Sequence, residues 1–249
     1  MNNPVIPRMP ELPLDEFDAE YRQAEIEHPA ELETMIAELE TAAGMVPLTG
    51  LDFFSGGSGT ALDIGCGVGT LPFLLARKNP NATVIGVDFS EESIAHAKAH
   101  YQPKADNLSY RVSSVDVLSQ MFQGIDMITC VGAMHHFPSL NSAIAQVMQT
   151  LDDKGVFLLS DLNRENIYSH FAEKELRYLN SVRQLPEKVR NNKLRRQGYT
   201  KGKKARRFLT LMSFQAAYTP AEVSAVFGER YGFKGRMSGM NYLLAAYKL

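Results

Sequence analysis

Cysteine is scarce in this chain. Only Cys66 and Cys130 occur in 249 residues, one inside a glycine-rich stretch and one near the end of an apolar run. Two such residues cannot build a disulfide framework, and neither belongs to a metal-ligand spacing. A reducing compartment is therefore the expected environment. No apolar run approaches the roughly 18–20 residues needed to cross a bilayer. The opening Met1-Asn2-Asn3-Pro4 lacks the basic-then-apolar order of a secretory leader, and the next forty residues are acidic. Repeats and low-complexity tracts are absent, and the net charge is only −2. These absences together predict a cytoplasmic protein without a membrane span. What is present is ordinary globular material, 45% hydrophobic and 22% charged. The length suits one α/β domain with additions and a large buried core.

The informative segment is Ala61-Leu62-Asp63-Ile64-Gly65-Cys66-Gly67-Val68-Gly69-Thr70. A short apolar strand breaks into three glycines at alternate positions and runs directly into the helical pattern Leu71–Lys78. Such a strand–loop–helix brings bare backbone close to a ligand at a helix N-terminus. A dinucleotide fingerprint reads Gly-x-Gly-x-x-Gly and seats a pyrophosphate. Here the third glycine comes one residue early, and Asp63 stands two residues before the first. A carboxylate there suits a ligand carrying positive charge and repels a pyrophosphate.

Thr83-Val84-Ile85-Gly86-Val87-Asp88 is a second strand ending in an acid, 19 residues past Gly69. An acid at this place in a doubly wound fold accepts hydrogen bonds from a ribose diol. Leu108–Val112 reads as a third strand, followed by Ser113-Ser114-Val115-Asp116, and Ile125–Val131 as a fourth, followed by Met134-His135-His136-Phe137. In this order the motifs resemble the class I S-adenosylmethionine-dependent methyltransferases, in particular their small-molecule branch, over roughly Gly59 to Leu162. The resemblance implies a Rossmann-like, mostly parallel seven-stranded sheet with an antiparallel C-terminal hairpin and helical cap additions. It also implies S-adenosylmethionine as cofactor and S-adenosylhomocysteine as product. Asp88 would hold the ribose hydroxyls, Asp116 the adenine amino group, and the residues after strand four, beginning at Val131, would border the methyl-transfer site.

The strand–helix alternation predicts a parallel sheet with right-handed crossovers. We divide the chain into an N-terminal helical cap (1–55), a cofactor-binding core (56–162), a helical insertion or lid (163–215) and a C-terminal helix with two closing strands (216–249). In the cap, residues 1 to about 12 are Pro-rich and expected to be irregular, and a helical pattern from Asp15 to Ala43 is broken at Pro29. Leu32, Met35, Ile36 and Leu39 share one face of its second piece. Ser55–Gly59 reads as a linker or a lid joint. Ser90 and Ser139 are placed to cap helices, and Asp152–Gly155 reads as a turn into a fifth strand, Val156–Ser160. Thr219-Pro220-Ala221-Glu222 is a capping box. Phe233–Met237 and Tyr242–Tyr247 read as the closing strands.

Methyl transfer from a sulfonium is an in-line displacement from an activated leaving group. Alignment supplies most of what a protein must add, roughly 7–11 kcal/mol in well-oriented systems, and a general base adds ~10²–10⁴-fold where the acceptor carries a proton. Gly65, Gly67 and Gly69 would allow close approach, with Cys66 between them; the alternative is simply a tight turn. Asp63 would either attract the cofactor's positive charge or pin the loop amides. Phe89 and Val115 flank the acids at sandwich positions for an adenine ring. His135 and His136 are candidate bases that the sequence does not tell apart, and Asp161, at the end of strand five, is a candidate for orienting the acceptor. Tyr21, Tyr168 and Tyr218 are candidate pocket aromatics. A metal is not expected, because two adjacent histidines lack helical spacing and no Cys/His cluster joins them.

The acceptor class is less constrained. The Asn/Asp-Pro-Pro-aromatic loop carried after strand four by the resembling amino-methylating nucleic-acid enzymes is replaced by Cys130-Val131-Gly132-Ala133, which argues against an exocyclic base nitrogen as acceptor. Ten Lys and Arg residues between Lys188 and Arg207, with no acid among them, leave about −12 on the rest of the chain. An RNA methyltransferase gripping phosphates is one alternative, but only Tyr199 and Phe208 interleave the run, so base stacking is poorly provided. The run could instead pair with the acidic N-terminal helices or bind an acidic substrate or carrier protein. A fold that keeps the cofactor without methyl transfer is the third reading. A small-molecule acceptor presenting oxygen, nitrogen, sulfur or carbon is the leading one.

Overall fold

The computed structural model describes residues 7–9, 11, 22, 29–46 and 52–249. Seven strands form one sheet in the order β3-β2-β1-β4-β5-β7-β6. The strands are β1 (Gly59–Ile64), β2 (Ala82–Asp88), β3 (Leu108–Val112), β4 (Ile125–Val131), β5 (Leu151–Leu162), β6 (Tyr231–Ser238) and β7 (Asn241–Lys248). The first five are parallel, and β7 runs antiparallel to both β5 and β6. The chain thus closes the sheet by inserting its last strand beside β5 and leaving β6 at the edge.

Both faces of the sheet are covered, so its central strands are apolar on alternate and on consecutive positions. Leu62, Ile64, Ile128, Phe157 and Leu159 face the helices Leu140–Thr150 and Pro220–Phe227. Ala61, Val84, Met127, Val156 and Leu158 face Pro29–Ala43, Thr70–Lys78 and Glu91–His100. Ile36 and Leu39 of the first of these are buried as their spacing predicts; the side chains of Leu32 and Met35 lie outside the described residues, as does nearly all of 12–28. The caps form as read. The Ser90 hydroxyl accepts from Ser93 N (3.2 Å), Ser139 from Ser142 N (3.3 Å), and Thr219 with Glu222 completes a reciprocal box.

The start of β5 differs from expectation. Leu151 already pairs with Ile125, while Val156 pairs with Met127, so Asp152–Gly155 forms a bulge within the strand and not a turn before it. The turn chemistry is real but local: Lys154 N donates to the Asp152 carboxylate at 3.0 Å. Gly155 is required at the pinch, since a Cβ there would sit 2.7 Å from the Ile125 carbonyl oxygen.

The Ser55–Gly59 joint is tied down. Asn79 is fully buried and its amide donates to the carbonyls of Phe53 and Gly57, the latter at 2.9 Å; Asn81 donates to Gly56 at 2.9 Å. Asn79→Ala should therefore destabilise the chain by roughly 1–3 kcal/mol by stranding buried carbonyls. Urea unfolding checks this, and a midpoint equal to wild type would mean the tether carries no load.

Residues after β5 build helices Glu173–Arg183, Glu187–Arg196 and Gly202–Ala216 around a core of their own, including Leu179, Leu194, Phe208, Met212 and Phe214. The last of these helices packs against the Met134–His136 turn that follows β4. Part of the basic run is consumed in this unit. Arg207 forms a two-pronged pair with Glu175 (2.7 and 2.9 Å), Arg190 is buried, and Lys204 lies 4.1 Å from the centre of the Tyr199 ring.

Candidate active site

The strands β1, β2, β3 and β4 all end at one rim, where a cavity of about 810 Å³ opens. Ligands bind at this carboxyl edge in doubly wound sheets because the loops diverge there and leave a crevice. Ile64, Gly65 and Gly67 form one wall, Val87–Ser90 a second, Ser113–Asp116 a third, and Val131–Ala133 with His135–Pro138 the floor.

The glycine loop divides its labour. Gly65 and Gly67 line the cavity with φ of +71° and +52°. A Cβ on Gly65 would meet the Ala133 Cβ at 2.4 Å, so the loop sits hard against the turn after β4. Gly69 does not line the cavity. It begins helix Thr70–Lys78 with φ +93°, and a Cβ would collide with Ala97 (2.6 Å) and Tyr110 (2.7 Å). Its role here is close packing, reinforced by the Tyr110 hydroxyl donating to the Gly69 carbonyl at 2.6 Å. Cys66 and Asp63 are also behind the wall, both buried. The Thr129 hydroxyl donates to Asp63 at 2.6 Å, while the amides of Gly65 and Cys66 donate to the Val87 carbonyl at 2.8 and 2.9 Å.

Asp88 ties loop to strand. One carboxylate oxygen accepts from Gly67 N at 2.9 Å and the other from Ser90 N at 2.8 Å. Each oxygen retains a free lone-pair direction, because an ionised carboxylate accepts about four bonds. Asp116 is exposed at the rim and accepts from the Ser114 hydroxyl at 3.2 Å. Phe89, 75% exposed, and Val115 belong to separate walls of the cavity, and Val131 to its floor.

The two histidines, equivalent in sequence, are unlike in structure. The His135 side chain is 4% exposed, with Nδ1 2.7 Å from Asp161. Asp161 also accepts from the amides of His135 (3.0 Å) and Leu162 (2.7 Å). It does not line the cavity, so it orients a histidine and not an acceptor directly. The His136 side chain is 34% exposed, and its Nδ1 lies 2.9 Å from Glu11. The rings stand 4.1 Å apart. Burial alone would raise the Glu11 carboxyl, but the His136 hydrogen bond and charge, helped by His135 and Ser213, hold it at about 2. Burial likewise opposes the charged form of His136, and the Glu11 hydrogen bond and charge, with Asp161 and Asp88 farther off, raise its pKa above the usual 6.5. Glu11, His135 and His136 bring ligand-type atoms within 4.8 Å of one another. One contact in this cluster, Glu11–His136, is already a carboxylate–imidazole pair, and His135 is paired outside it with Asp161, which reads as two dyads.

Sequence reasoning did not find Glu11, Arg22, Thr210 or Ser213, which also line the cavity. Nothing local marks them, because they come from the N-terminal segment and from the insertion. Tyr218 packs beneath Arg8, whose guanidinium carbon is 3.9 Å from the ring centre, and Tyr168 packs in the insertion core. Tyr21 lies outside the described residues.

Among the described lining residues, Glu11, Asp88 and Asp116 are acidic, whereas Arg22 is the single guanidinium or ammonium and is paired with Glu92 at 2.5 Å. That balance fits a cationic nucleoside with a ribose diol and disfavours a pyrophosphate, which seeks arginines and free amides.

A family model described as a methyltransferase domain matches residues 56–213. A ubiquinone biosynthesis O-methyltransferase of Coxiella burnetii is 34% identical over 103 residues, 41% of this chain and 43% of that protein. One from Dechloromonas aromatica is 35% identical over 104 residues, covering 41% and 44%. The matched stretch thus spans less than half the length of these curated relatives. Among solved structures, the plantazolicin methyltransferase BpumL in complex with S-adenosylhomocysteine superposes with a TM-score of 0.59 at 17% identity, covering 94% of this chain and 95% of that one. Magnesium protoporphyrin IX methyltransferase from Synechocystis PCC 6803 gives 0.54 at 17% identity, over 90% and 84%. Both share the fold. No described helix is long and apolar enough to cross a membrane. Fold, rim and family match agree: the chain belongs to the class I S-adenosylmethionine-dependent methyltransferases.

Proposed function

We propose that this chain methylates a small-molecule acceptor, with a hydroxyl as the favoured nucleophile, in the cavity at the carboxyl edge of the sheet. The observation that carries the reading is the wall built by Gly65, Gly67 and Asp88: two positive-φ glycines and a carboxylate that lines the cavity while each oxygen accepts one backbone amide. When bound, S-adenosylmethionine supplies an electrophilic methyl group on a sulfonium. Gly65 and Gly67 admit it against bare backbone, and Asp88 accepts from the ribose hydroxyls. Asp116, Val115 and Phe89 would border the adenine, and Val131 would line the same pocket. Asp63 acts from behind the loop by its charge, and Cys66 and Gly69 hold the loop's shape.

The acceptor faces the histidine floor and the roof formed by Thr210 and Ser213. His136 is the more open of the two imidazoles and takes the acceptor's proton at Nε2, because its Nδ1 is committed to Glu11. Asp161 fixes His135, which fixes the turn that carries His136. The O-methyltransferase names of the relatives in the matched core support a hydroxyl acceptor. The Lys188–Arg207 run, partly engaged with Glu175 and Tyr199, is placed outside the reaction.

Incubating the chain with S-adenosylmethionine and a panel of phenols, catechols and amines tests this. Release of S-adenosylhomocysteine with a phenol or catechol is expected, rising with pH as His136 loses its proton. No release with any of the panel, together with no heat of cofactor binding in calorimetry, would overturn the reading.

A further inference from the structure

Outside the cofactor walls, one cluster is left unexplained. The described residues of the N-terminal segment are fastened over the histidine turn by contacts of several kinds. The Arg8 guanidinium donates to the carbonyls of His135 (3.1 Å) and Phe137 (3.3 Å) while lying on the Tyr218 ring. The Met9 amide donates to the Gln215 carbonyl at 3.1 Å. Glu11 accepts from the Ser213 hydroxyl at 2.5 Å with one oxygen and meets His136 Nδ1 at 2.9 Å with the other. The segment therefore bridges the turn after β4 and helix Gly202–Ala216, two elements that converge over the acceptor side of the cavity.

We infer that Glu11 is a positioning residue for His136, fixing its Nδ1–H tautomer so that Nε2 presents a lone pair to the acceptor. This rests on the methyl-transfer reading above. The local geometry repeats a device seen one residue earlier, where Asp161 holds His135 through the same ring nitrogen at 2.7 Å. Two neighbouring imidazoles are each oriented by a carboxylate, but the carboxylates come from different places. Asp161 belongs to the rigid end of β5, whereas Glu11 arrives from a segment 125 residues away in sequence. An oriented imidazole beside a carboxylate is a better base than a free one, since the second nitrogen has a single role. Glu11 has that capacity because it is held ionised, and an ionised carboxylate can only accept, so the proton on the shared edge belongs to Nδ1.

Several charges among the described residues face this pair. His136 is faced by Glu11, by the more distant Asp161 and Asp88, and by the His135 ring; Glu11 is faced by His136, His135, the Ser213 hydroxyl and the charge of Arg183. Removing the Glu11 charge leaves burial to dominate, so the His136 pKa should fall. A loosened, more solvated histidine would also fall, but only back to its ordinary value, so a pKa below 6.5 marks the loss of Glu11 from a ring that stays buried.

Long-range ¹H–¹⁵N NMR of the imidazoles in the full chain saturated with S-adenosylhomocysteine provides the test. In wild type His136 should titrate above 6.5 with its neutral form as the Nδ1–H tautomer. Glu11→Gln should lower that pKa below the ordinary imidazole value, Glu11→Ala should also mix the tautomers, and Glu11→Asp should restore both. The His135 ring, held by Asp161 at 2.7 Å, serves as the internal control and should keep its tautomer. An unchanged His136 in both Glu11→Gln and Glu11→Ala, in protein that binds S-adenosylhomocysteine normally, overturns the role of Glu11 and leaves the functional reading standing. Failure of the wild-type chain to bind S-adenosylhomocysteine overturns that reading and this role with it.

Discussion

Asp88→Ala should weaken S-adenosylmethionine binding at least tenfold, measured by titration calorimetry. The carboxylate does two things at once. It is placed to accept from a ribose diol, and it already holds the amides of Gly67 and Ser90 at 2.9 and 2.8 Å. Hydrogen bonds to a charged group contribute about 1.5–3 kcal/mol each, so loss of either function reaches the ~1.4 kcal/mol that a tenfold change requires. Asp88→Asn separates the two functions. It keeps one carbonyl oxygen and the residue's shape, so the loop stays partly anchored and the loss should be smaller than for alanine. Unchanged affinity in the alanine variant would remove Asp88 from the cofactor site.

Asp161→Ala should be the most destabilising single change in this region. The residue is 1% exposed, and its carboxylate accepts from the His135 ring, the His135 amide and the Leu162 amide. Its loss strands three donors, two of them on the buried His135, and removes a charge that the titration of Tyr242 and Cys130 feels. Each buried donor left unsatisfied costs roughly 1–3 kcal/mol. In a chain of this size that lowers Tm by on the order of 10 °C. Asp161→Asn, which still accepts with one oxygen, should fall between. Thermal unfolding within 2 °C of wild type, an error-sized shift on this scale, would show that the three donors find other partners.

The strap of Glu11 also predicts a pH window for its own docking. The depressed Glu11 carboxyl contributes stability above the unfolded value of 4.5 that is lost as pH falls toward about 2. The raised His136 contributes stability below 6.5 that is lost as pH rises through its folded value. Docking is thus strongest between about 4.5 and 6.5, while the proposed base works on the alkaline side. The two demands overlap near neutrality.

Much of the core was legible because its signals are local. β4 and the helix Glu91–His100 have the bounds read from their patterns, and the strand-end acids Asp88 and Asp116 stand at the rim where four strands finish. Period-two burial, serine caps and glycines before a helix act within a few residues, so a single sequence carries them. Asp152–Gly155 shows the limit of such signals: the turn chemistry is present, yet pairing with β4 keeps those residues in the sheet.

From the sequence alone came the parallel sheet, the glycine loop and its bias toward a cationic nucleoside, since these depend on backbone freedom and on charges fixed by chain order. Only the tertiary structure told His135 from His136, moved Gly69, Cys66, Asp63 and Asp161 behind the wall, and brought Glu11, Thr210 and Ser213 to the cavity. Partners so distant along the chain meet because separate helices and strands pack against one another, and no short-range pattern of residue types encodes which of two neighbouring side chains that packing will bury.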